Sequence, residues 1–472
     1  MSASHVEGAR PDSRASSRLY RAVWRWHFYA GLFVVPFFVL LACTGMIMLY
    51  GNSVETMIGP RHVVVPTSTP VTLVEQQSAA AAAVPNGSVS MFVQAPSDDL
   101  ANKFMVRGDD GTHIVAIDPT DASVVGNYLQ ENVLFNWASN IHGTLLLGDL
   151  GDRVLEIAAG LGIILLLTGL YMWWPRGARS LRRALVPKLD AGRPFWRELH
   201  MSTGFYFAIV LLFFLISGLS WTGIWGTQIV QAWNTFPADK MGAPLSDATH
   251  ADLNTGDAKD VPWTLEQTPM PMSEHDHSNM GMGGMAMPTV DMPGPAPVTL
   301  DSVAASAREI GFTGQFRINL PSDPTGVFTV SSDSNSGDSA NPFGDRTTHI
   351  DQYSGEVITE VTFNDYGLGG KAMAAGIALH QGNLGWWNIA LNLLFCAAIV
   401  LMAVSGVLMW WKRRPKGKLA APLYPREYRA PWGVVVIALA VCVAFPLTGA
   451  AVVLFALVDL LLPRRLREAG AA

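Results

Sequence analysis

Apolar residues along the chain are gathered into a few segments that are long enough to cross a membrane. Four of these segments are residues 26–50, 154–174, 200–225 and 387–411. Each has about the 20 residues that a helix needs to cross the hydrocarbon core of a bilayer. The pattern therefore predicts four spanning helices.

A further apolar stretch, residues 432–462, is too long for one ordinary span. Pro446 lies near its middle, and proline kinks or ends a helix. Two alternatives follow, a single tilted and kinked span or a helical hairpin. Arginines on both sides of the stretch favour the hairpin, because basic residues prefer the cytoplasmic side of a membrane.

Two long polar regions between the apolar segments have a different periodicity. Residues 51–153 and 226–386 contain alternating runs, such as Val89 to Val106 and Phe316 to Val330, which are typical of β-strands. We expect each region to form a small α+β domain. The predicted fold class is a membrane α-helical bundle of duplicated two-helix units, with four core spans plus a C-terminal fifth span or hairpin, and two small external α+β domains.

Composition and charge agree with a membrane protein and exclude other classes. Half of the residues are hydrophobic and 15% are charged, whereas soluble domains have about 25% charged residues. The net charge of −6 and the lack of a basic stripe argue against nucleic-acid binding. Lys and Arg are concentrated in residues 1–25, 175–199, 412–431 and 463–472, which we predict to be cytoplasmic, with an N-terminal tail inside and the two long loops outside.

The chain also contains an internal repeat, which covers the spans and their flanks. Trp26-His27 and Leu199-His200 lead the first and third spans, and each histidine is followed 18 residues later by a glycine that comes after Thr44 or Ser217. The second and fourth spans contain matching segments, which are Thr168-Gly169 before Trp173-Trp174 and Ser405-Gly406 before Trp410-Trp411. His142-Gly143 and His380-Gln381-Gly382 precede these two spans.

The repeat places four histidines at membrane edges. His27 and His200 fall at the predicted cytoplasmic edge, and His142 and His380 fall near the external edge, His142 in a segment that re-enters the membrane. Eighteen residues are five helical turns, so each histidine of the first pair shares a helix face with a glycine. Two facing imidazoles can ligate a haem iron. The alternative is a close-packing glycine seam with amphipathic edge histidines. Histidines of the loops, such as His250 and His349, are expected to be solvated or at strand edges.

These motifs resemble the PepSY-associated transmembrane family of bacterial inner-membrane proteins, which includes di-haem ferric-siderophore reductases. The resemblance covers roughly residues 20–415 and rests on the histidine, hydroxyl–glycine and tryptophan motifs quoted above. It implies a PepSY domain in each long loop and two b-type haems with bis-histidine ligation. It would pair His27 with His200 and His142 with His380.

A methionine- and histidine-rich insert occupies residues 270–292 of the second loop. Thioether and imidazole ligands suit copper, so we expect copper contact there, with the candidate ligands His275, His277, Met280, Met282, Met285 and Met287. The alternative is a low-complexity linker that happens to be rich in methionine.

The chain lacks motifs for binding an electron-donating cofactor such as a nicotinamide or a flavin. No nicotinamide fingerprint or Walker motif occurs, and the cytoplasmic loops are too short to fold a flavin domain. The donor is therefore expected to be a separate cytoplasmic flavoprotein or membrane quinol. The expected function is a metalloreductase of the bacterial inner membrane, which passes electrons through two haems to external Cu(II), Fe(III) or a ferric siderophore. The alternatives are a non-redox copper-binding or transport protein and a PepSY-type regulatory membrane protein.

Overall fold

A computed structural model describes residues 11–51, 62–66, 69–175, 185, 193–242, 244–254, 260–273, 297–414 and 431–461. The chain divides into two compact units. A helical unit comprises residues 1–46, 141–230 and 391–472, and a sheet unit comprises residues 47–140 and 231–390.

Among the residues that the structure describes, three helices are long and apolar enough to cross a membrane. They are α1 (Pro11–Leu49), α4 (Asp149–Trp173) and α9 (Trp386–Arg413). A shorter helix, α3 (Leu134–Thr144), precedes α4, and the turn between them has positive φ angles at Leu145 and Leu146. The helical unit has an apolar core whose members include Ala42, Ile163, Leu166, Leu211, Leu215, Phe395 and Ile399. The structure is therefore that of a membrane protein with several spanning helices.

The third predicted span, residues 200–225, is broken in the structure. Helix α5 (Arg193–Tyr206) and helix α6 (Ala208–Leu219) meet at a bend of 60°. A π-helical segment, Gly223–Val230, follows. Counting the bent pair as one span gives four spans, and not counting it gives three. Hydropathy could not reveal this break, because the two helices taken together are apolar enough to pass as one span.

The C-terminal apolar stretch forms two short helices, α10 (Trp432–Ala444) and α11 (Pro446–Leu461). A Cβ atom added to Gly449 would lie 3.0 Å from the Cα atom of Cys442. In a continuous helix, residues seven positions apart are about 10 Å apart. The chain therefore turns back on itself around Phe445, immediately before the proline.

The sheet unit contains one antiparallel sheet of eight strands. Their order is β10-β9-β8-β7-β1-β2-β3-β4. The first loop provides β1 (Ser88–Val93), β2 (Asn102–Gly108), β3 (Gly111–Ile117) and β4 (Val124–Leu129). The second provides β7 (Arg317–Asn319), β8 (Val327–Ser332), β9 (Arg346–Asp351) and β10 (Val357–Thr362). Between the two sets, β5 (Leu245–Thr249) and β6 (Pro269–Pro271) form a separate two-stranded sheet.

The two predicted loop domains share this sheet, in which they are joined at its centre. Strand β1 pairs with β7, with Phe92 opposite Ile318, so that neither four-stranded half leaves this edge unpaired. Helices α2 (Leu73–Ala82) and α7 (Leu300–Glu309) pack into one apolar core with strands from both halves. The carboxylate of Asp301 accepts the backbone N–H groups of Leu73 and Val74, so that one repeat caps a helix of the other. Helix α8 (Leu368–Gln381) ends the unit's second half.

Candidate cofactor site

Two of the predicted ligands, His27 on α1 and His200 on α5, face each other within the helical unit. Their ring centroids are 6.4 Å apart, and the ring planes cross at 86°. An imidazole nitrogen lies about 1 Å from the ring centre and about 2 Å from a bound metal ion, so two rings that share one ion should be about 6 Å apart. The spacing of these rings fits bis-histidine ligation of one iron.

The hydrogen bonds of His27 determine which of its nitrogens can bind a metal. Its Nδ1 atom lies 2.9 Å from the Thr168 hydroxyl of α4. That hydroxyl donates its only proton to its own helix, at the Ile164 carbonyl 2.6 Å away. It must therefore accept from His27, and the backbone of Leu165 also bonds the ring. With the proton on Nδ1, the lone pair is on Nε2, as a metal ligand requires.

His200 has the same protonation, which is determined here by a backbone carbonyl. Its Nδ1 atom lies 3.0 Å from the Met402 carbonyl and 3.1 Å from the Ser405 hydroxyl of α9. A carbonyl can only accept a hydrogen bond, so Nδ1 carries the proton. The Ser405 hydroxyl donates to the Met402 carbonyl. The lone pair of His200 is therefore also on Nε2.

His142, on α3, repeats the arrangement with a different helix. The Thr44 hydroxyl of α1 lies 2.9 Å from Nδ1 of His142 and donates to the Leu40 carbonyl of its own helix. It therefore accepts from Nδ1–H, and the backbone of Leu41 also bonds the ring. Three histidines of the helical unit thus share one tautomer, which is the one that metal-bound histidines use when Nδ1–H is held by an acceptor.

A glycine follows each of these hydroxyl residues and borders the same imidazole ring. A Cβ atom at Gly169 would lie 3.3 Å from Cε1 of His27, one at Gly406 would lie 3.5 Å from Cε1 of His200, and one at Gly45 would lie 3.6 Å from Cε1 of His142. We call each such two-residue motif, Thr44-Gly45, Thr168-Gly169 and Ser405-Gly406, a hydroxyl–glycine pair.

The sequence pattern placed Gly45 with His27, on its own helix, whereas the structure places it with His142 on another helix. The hydroxyl partners Thr44, Thr168 and Ser405 were not predicted as site residues. Their signal was present in the sequence, because the hydroxyl–glycine pair occurs in every predicted core span. The pattern could not show which histidine each pair holds, since the contacts run between helices.

His380, the fourth predicted ligand, lies in the sheet unit near the end of α8. The helix ends at Gly382, whose φ of 84° closes it with a left-handed turn. After this turn, the Asn383 amide donates to the Ser334 carbonyl at 2.7 Å, and the Asn388 amide donates to the Leu379 carbonyl at 2.8 Å. The backbone on both sides of His380 is thus held by buried asparagines.

The sheet unit also contains a buried histidine pair that the sequence did not reveal. His250 and His349 were expected to be solvated or at strand edges, but both are completely buried, and their Nε2 atoms lie 3.0 Å apart. Nδ1 of His250 donates to the Thr268 carbonyl at 2.7 Å, and Nδ1 of His349 lies 3.0 Å from the Thr329 hydroxyl. Burial lowers the pKa of His250 to about 4 and lowers the pKa of His349 well below its usual value.

The predicted copper ligands lie outside the described residues. These are His275, His277, Met280, Met282, Met285 and Met287. Within the described part of the chain, no group of three or more His, Cys, Asp or Glu side chains could hold a metal ion. A haem iron held by two histidines needs no such group.

The protein is a multi-span membrane protein with apolar spanning helices and a large antiparallel sheet. Its histidines that are held by hydrogen bonds to other helices form a candidate cofactor site. Residues 24–413 match the family model of the PepSY-associated TM region. The match covers most of the chain, and the chain belongs to this family. A comparison with curated proteins finds no match.

Proposed function

We propose that this protein carries electrons across the bacterial inner membrane through two bis-histidine b-type haems and reduces an external metal ion or complex. The observation that carries the proposal is the His27–His200 pair, with ring centroids 6.4 Å apart and with the lone pair of each ring on Nε2. Family membership supports the same reading. The protein would then be a metalloreductase-type oxidoreductase that depends on an external electron donor.

His27 and His200 would hold one haem, and His142 and His380 would hold the second. The second pairing rests on the repeat in the sequence, where His142 and His380 hold equivalent places before their spans. A bound haem supplies reversible one-electron chemistry at its iron. The chain's own contribution is to hold each imidazole in the ligating tautomer and to leave space beside the ring at a glycine.

The charge pattern supports the proposed orientation of the chain in the membrane. Basic segments are proposed to face the cytoplasm, so the N-terminus lies inside and the two long loops, each a PepSY-like domain, lie in the periplasm. A cytoplasmic flavoprotein or membrane quinol would reduce the haem of His27 and His200. Electrons that leave through the site of His142 and His380 would reduce Cu(II), Fe(III) or a ferric siderophore outside.

A second candidate function is favoured by the methionine- and histidine-rich insert. Soft thioethers bind Cu(I) and stay unprotonated in an acidic compartment. A non-redox copper-binding or transport protein would use the insert and would leave the membrane histidines without a cofactor. A PepSY-type regulatory protein would need neither feature.

Optical spectra of the purified, full-length protein in detergent distinguish these candidates. We expect a low-spin b-type spectrum with about two haems per chain, and we expect His27→Ala or His200→Ala to remove one haem. The matched control is His113→Ala, since His113 lies in the sheet unit and bonds Asp110 and Asn127. If the protein is produced with an ample supply of haem and still contains no haem, the proposal is overturned.

Deletion of residues 274–292 tests the acceptor separately. If copper is the substrate, the deletion should slow Cu(II) reduction and leave the haem content and the rate with a ferric chelate unchanged. Equal loss with both acceptors would show that the insert has no copper-specific role.

A further inference from the structure

We infer that the hydroxyl–glycine pairs Thr168-Gly169 and Ser405-Gly406 are positioning motifs that hold the rings of His27 and His200 in crossed planes. The inference rests on the proposed haem function and extends it to the groups that set ligand orientation and strength. It is carried by three repeats of one geometry, at His27, His142 and His200, with donor–acceptor distances between 2.9 and 3.1 Å.

The direction of each hydrogen bond is determined by the helix that carries the hydroxyl. Thr168 and Ser405 each donate to a carbonyl three or four residues earlier in their own helix. Each hydroxyl can then only accept from the histidine, because it has a single proton. An acceptor at Nδ1–H restricts rotation of the ring about its Cβ–Cγ bond, as carboxylates and carbonyls do for metal-bound histidines.

The two acceptors lie on different helices, so the two rings are oriented independently. Thr168 belongs to α4 and Ser405 to α9. The rings they hold cross at 86°. The glycine beside each hydroxyl leaves the Cε1 edge of the ring without a Cβ contact, so a ring can keep the orientation that its hydrogen bond demands.

The crossed ring planes and the acceptors at Nδ1–H both have consequences that can be measured on a bound haem. Crossed imidazole planes bring the two iron orbitals that interact with the ligands close in energy, which gives a strongly anisotropic low-spin ferric electron paramagnetic resonance (EPR) signal. An acceptor at Nδ1–H makes the imidazole a stronger donor and stabilises the ferric state. Loss of the acceptor should therefore raise the reduction potential of that haem.

The test uses the full-length protein loaded with haem and the variant Thr168→Val. We expect haem content to be retained, because His27 keeps its bond to the Leu165 backbone. The anisotropic EPR signal of one haem should weaken and its midpoint potential should rise, and Thr168→Ser should restore both. Thr44→Val is the matched control, because it should alter only the haem bound by His142.

Ser405→Ala provides a second variant if Thr168→Val does not fold. It leaves the Met402 carbonyl as an acceptor for His200, so we expect a smaller upward shift in the potential of the same haem. Unchanged EPR signals and potentials in variants that bind two haems would overturn the inference and leave the proposed function intact. Wild-type protein without haem would instead overturn both.

Discussion

At the scale of single residues, the glycines beside the histidines make a direct prediction. A Cβ atom at Gly169 would lie 3.3 Å from Cε1 of His27, which is tight enough to displace the ring. We expect Gly169→Ala to lower the haem content at the His27–His200 site several-fold, as judged from pyridine haemochrome spectra and protein concentration. The matched control is Gly433→Ala on α10, where a Cβ atom meets nothing within 4 Å. Equal haem content in both variants would contradict a steric role for Gly169.

The buried His250–His349 pair predicts a pH dependence of stability. Burial lowers the pKa of both rings, that of His250 to about 4. Between pH 6.5 and about 4 the unfolded chain therefore binds more protons than the folded chain, and stability falls as the pH falls. Each ring contributes a slope of up to about 1.4 kcal/mol per pH unit in this window. Thermal unfolding of the full-length protein from pH 4.5 to 7.5 measures the effect.

The variant His349→Gln removes one of the two titrating rings and should flatten this pH dependence. Asp345 acts in the opposite direction, because burial raises the pKa of its carboxyl to about 7 and its contribution is lost as the pH rises towards that value. Asp345→Asn therefore serves as a control that should steepen the loss of stability at acid pH. If the stability of His349→Gln changes with pH as steeply as that of the wild type, the pair does not titrate on unfolding.

At the scale of elements, the break after α6 is stabilised by an acid of another helix. The Glu156 carboxylate of α4, which is 2% exposed, accepts the backbone N–H groups of Ile224 and Trp225 at 3.2 and 3.3 Å. Its neighbour one turn earlier, Asp152, accepts the N–H group of Gly223. The two carboxylates thus accept the backbone N–H groups at the start of the π-helical segment. The sequence pattern alone showed only that Glu156 is an acid within a predicted span.

We expect Glu156→Leu to destabilise the helical unit. Removal of the carboxylate leaves two backbone N–H groups without their acceptor, and each unsatisfied group costs about 1–3 kcal/mol. Glu156→Gln keeps a side-chain oxygen as acceptor and should have a smaller effect. Thermal unfolding in detergent compares both with Asp149→Asn, a change at an exposed position on the same helix. Similar melting temperatures for all three variants would show that these hydrogen bonds do not matter for stability.

The elements also show what local patterns can and cannot predict. The apolar segments at residues 26–50, 154–174 and 387–411 lie within or close to α1, α4 and α9, since an unbroken apolar run of that length has few other stable structures in a membrane. The π-helical segment after α6 was not predicted, because its hydrogen bonds to Glu156 and Asp152 come from another helix and hydropathy does not record them.

At the scale of the whole molecule, the repeat was visible in the sequence but its consequence in the sheet unit was not. Strands were expected in each loop, and the alternating runs of residues 89–106 and 316–330 overlap strands β1, β2, β7 and β8. Pairing of β1 with β7 joins segments more than 200 residues apart, and no local pattern specifies such a partner. The same limit applies to the candidate site, where the repeat named the histidines as candidates but did not name their hydroxyl partners on other helices.

The C-terminal helices make a prediction about the topology of the molecule. α10 has 13 residues and α11 has 16 residues, so their lengths are about 20 and 24 Å, each below the 30 Å core of a bilayer. Because the chain turns back around Phe445, we expect the C-terminus to lie on the same side of the membrane as residue 430, whether the hairpin crosses fully or only enters the bilayer. A single kinked span would place the two points on opposite sides.

Reporter fusions measure this directly. A phosphatase that is active only outside the cytoplasm should be inactive when fused after residue 430 and also after residue 472, and a fluorescent protein that matures only in the cytoplasm should be bright at both points. A phosphatase fused within the second long loop, at residue 322, provides the active control. Activity at residue 472 combined with inactivity at residue 430 would contradict the hairpin. The basic residues Arg464, Arg465 and Arg467 would then face the side of the membrane that such residues usually avoid.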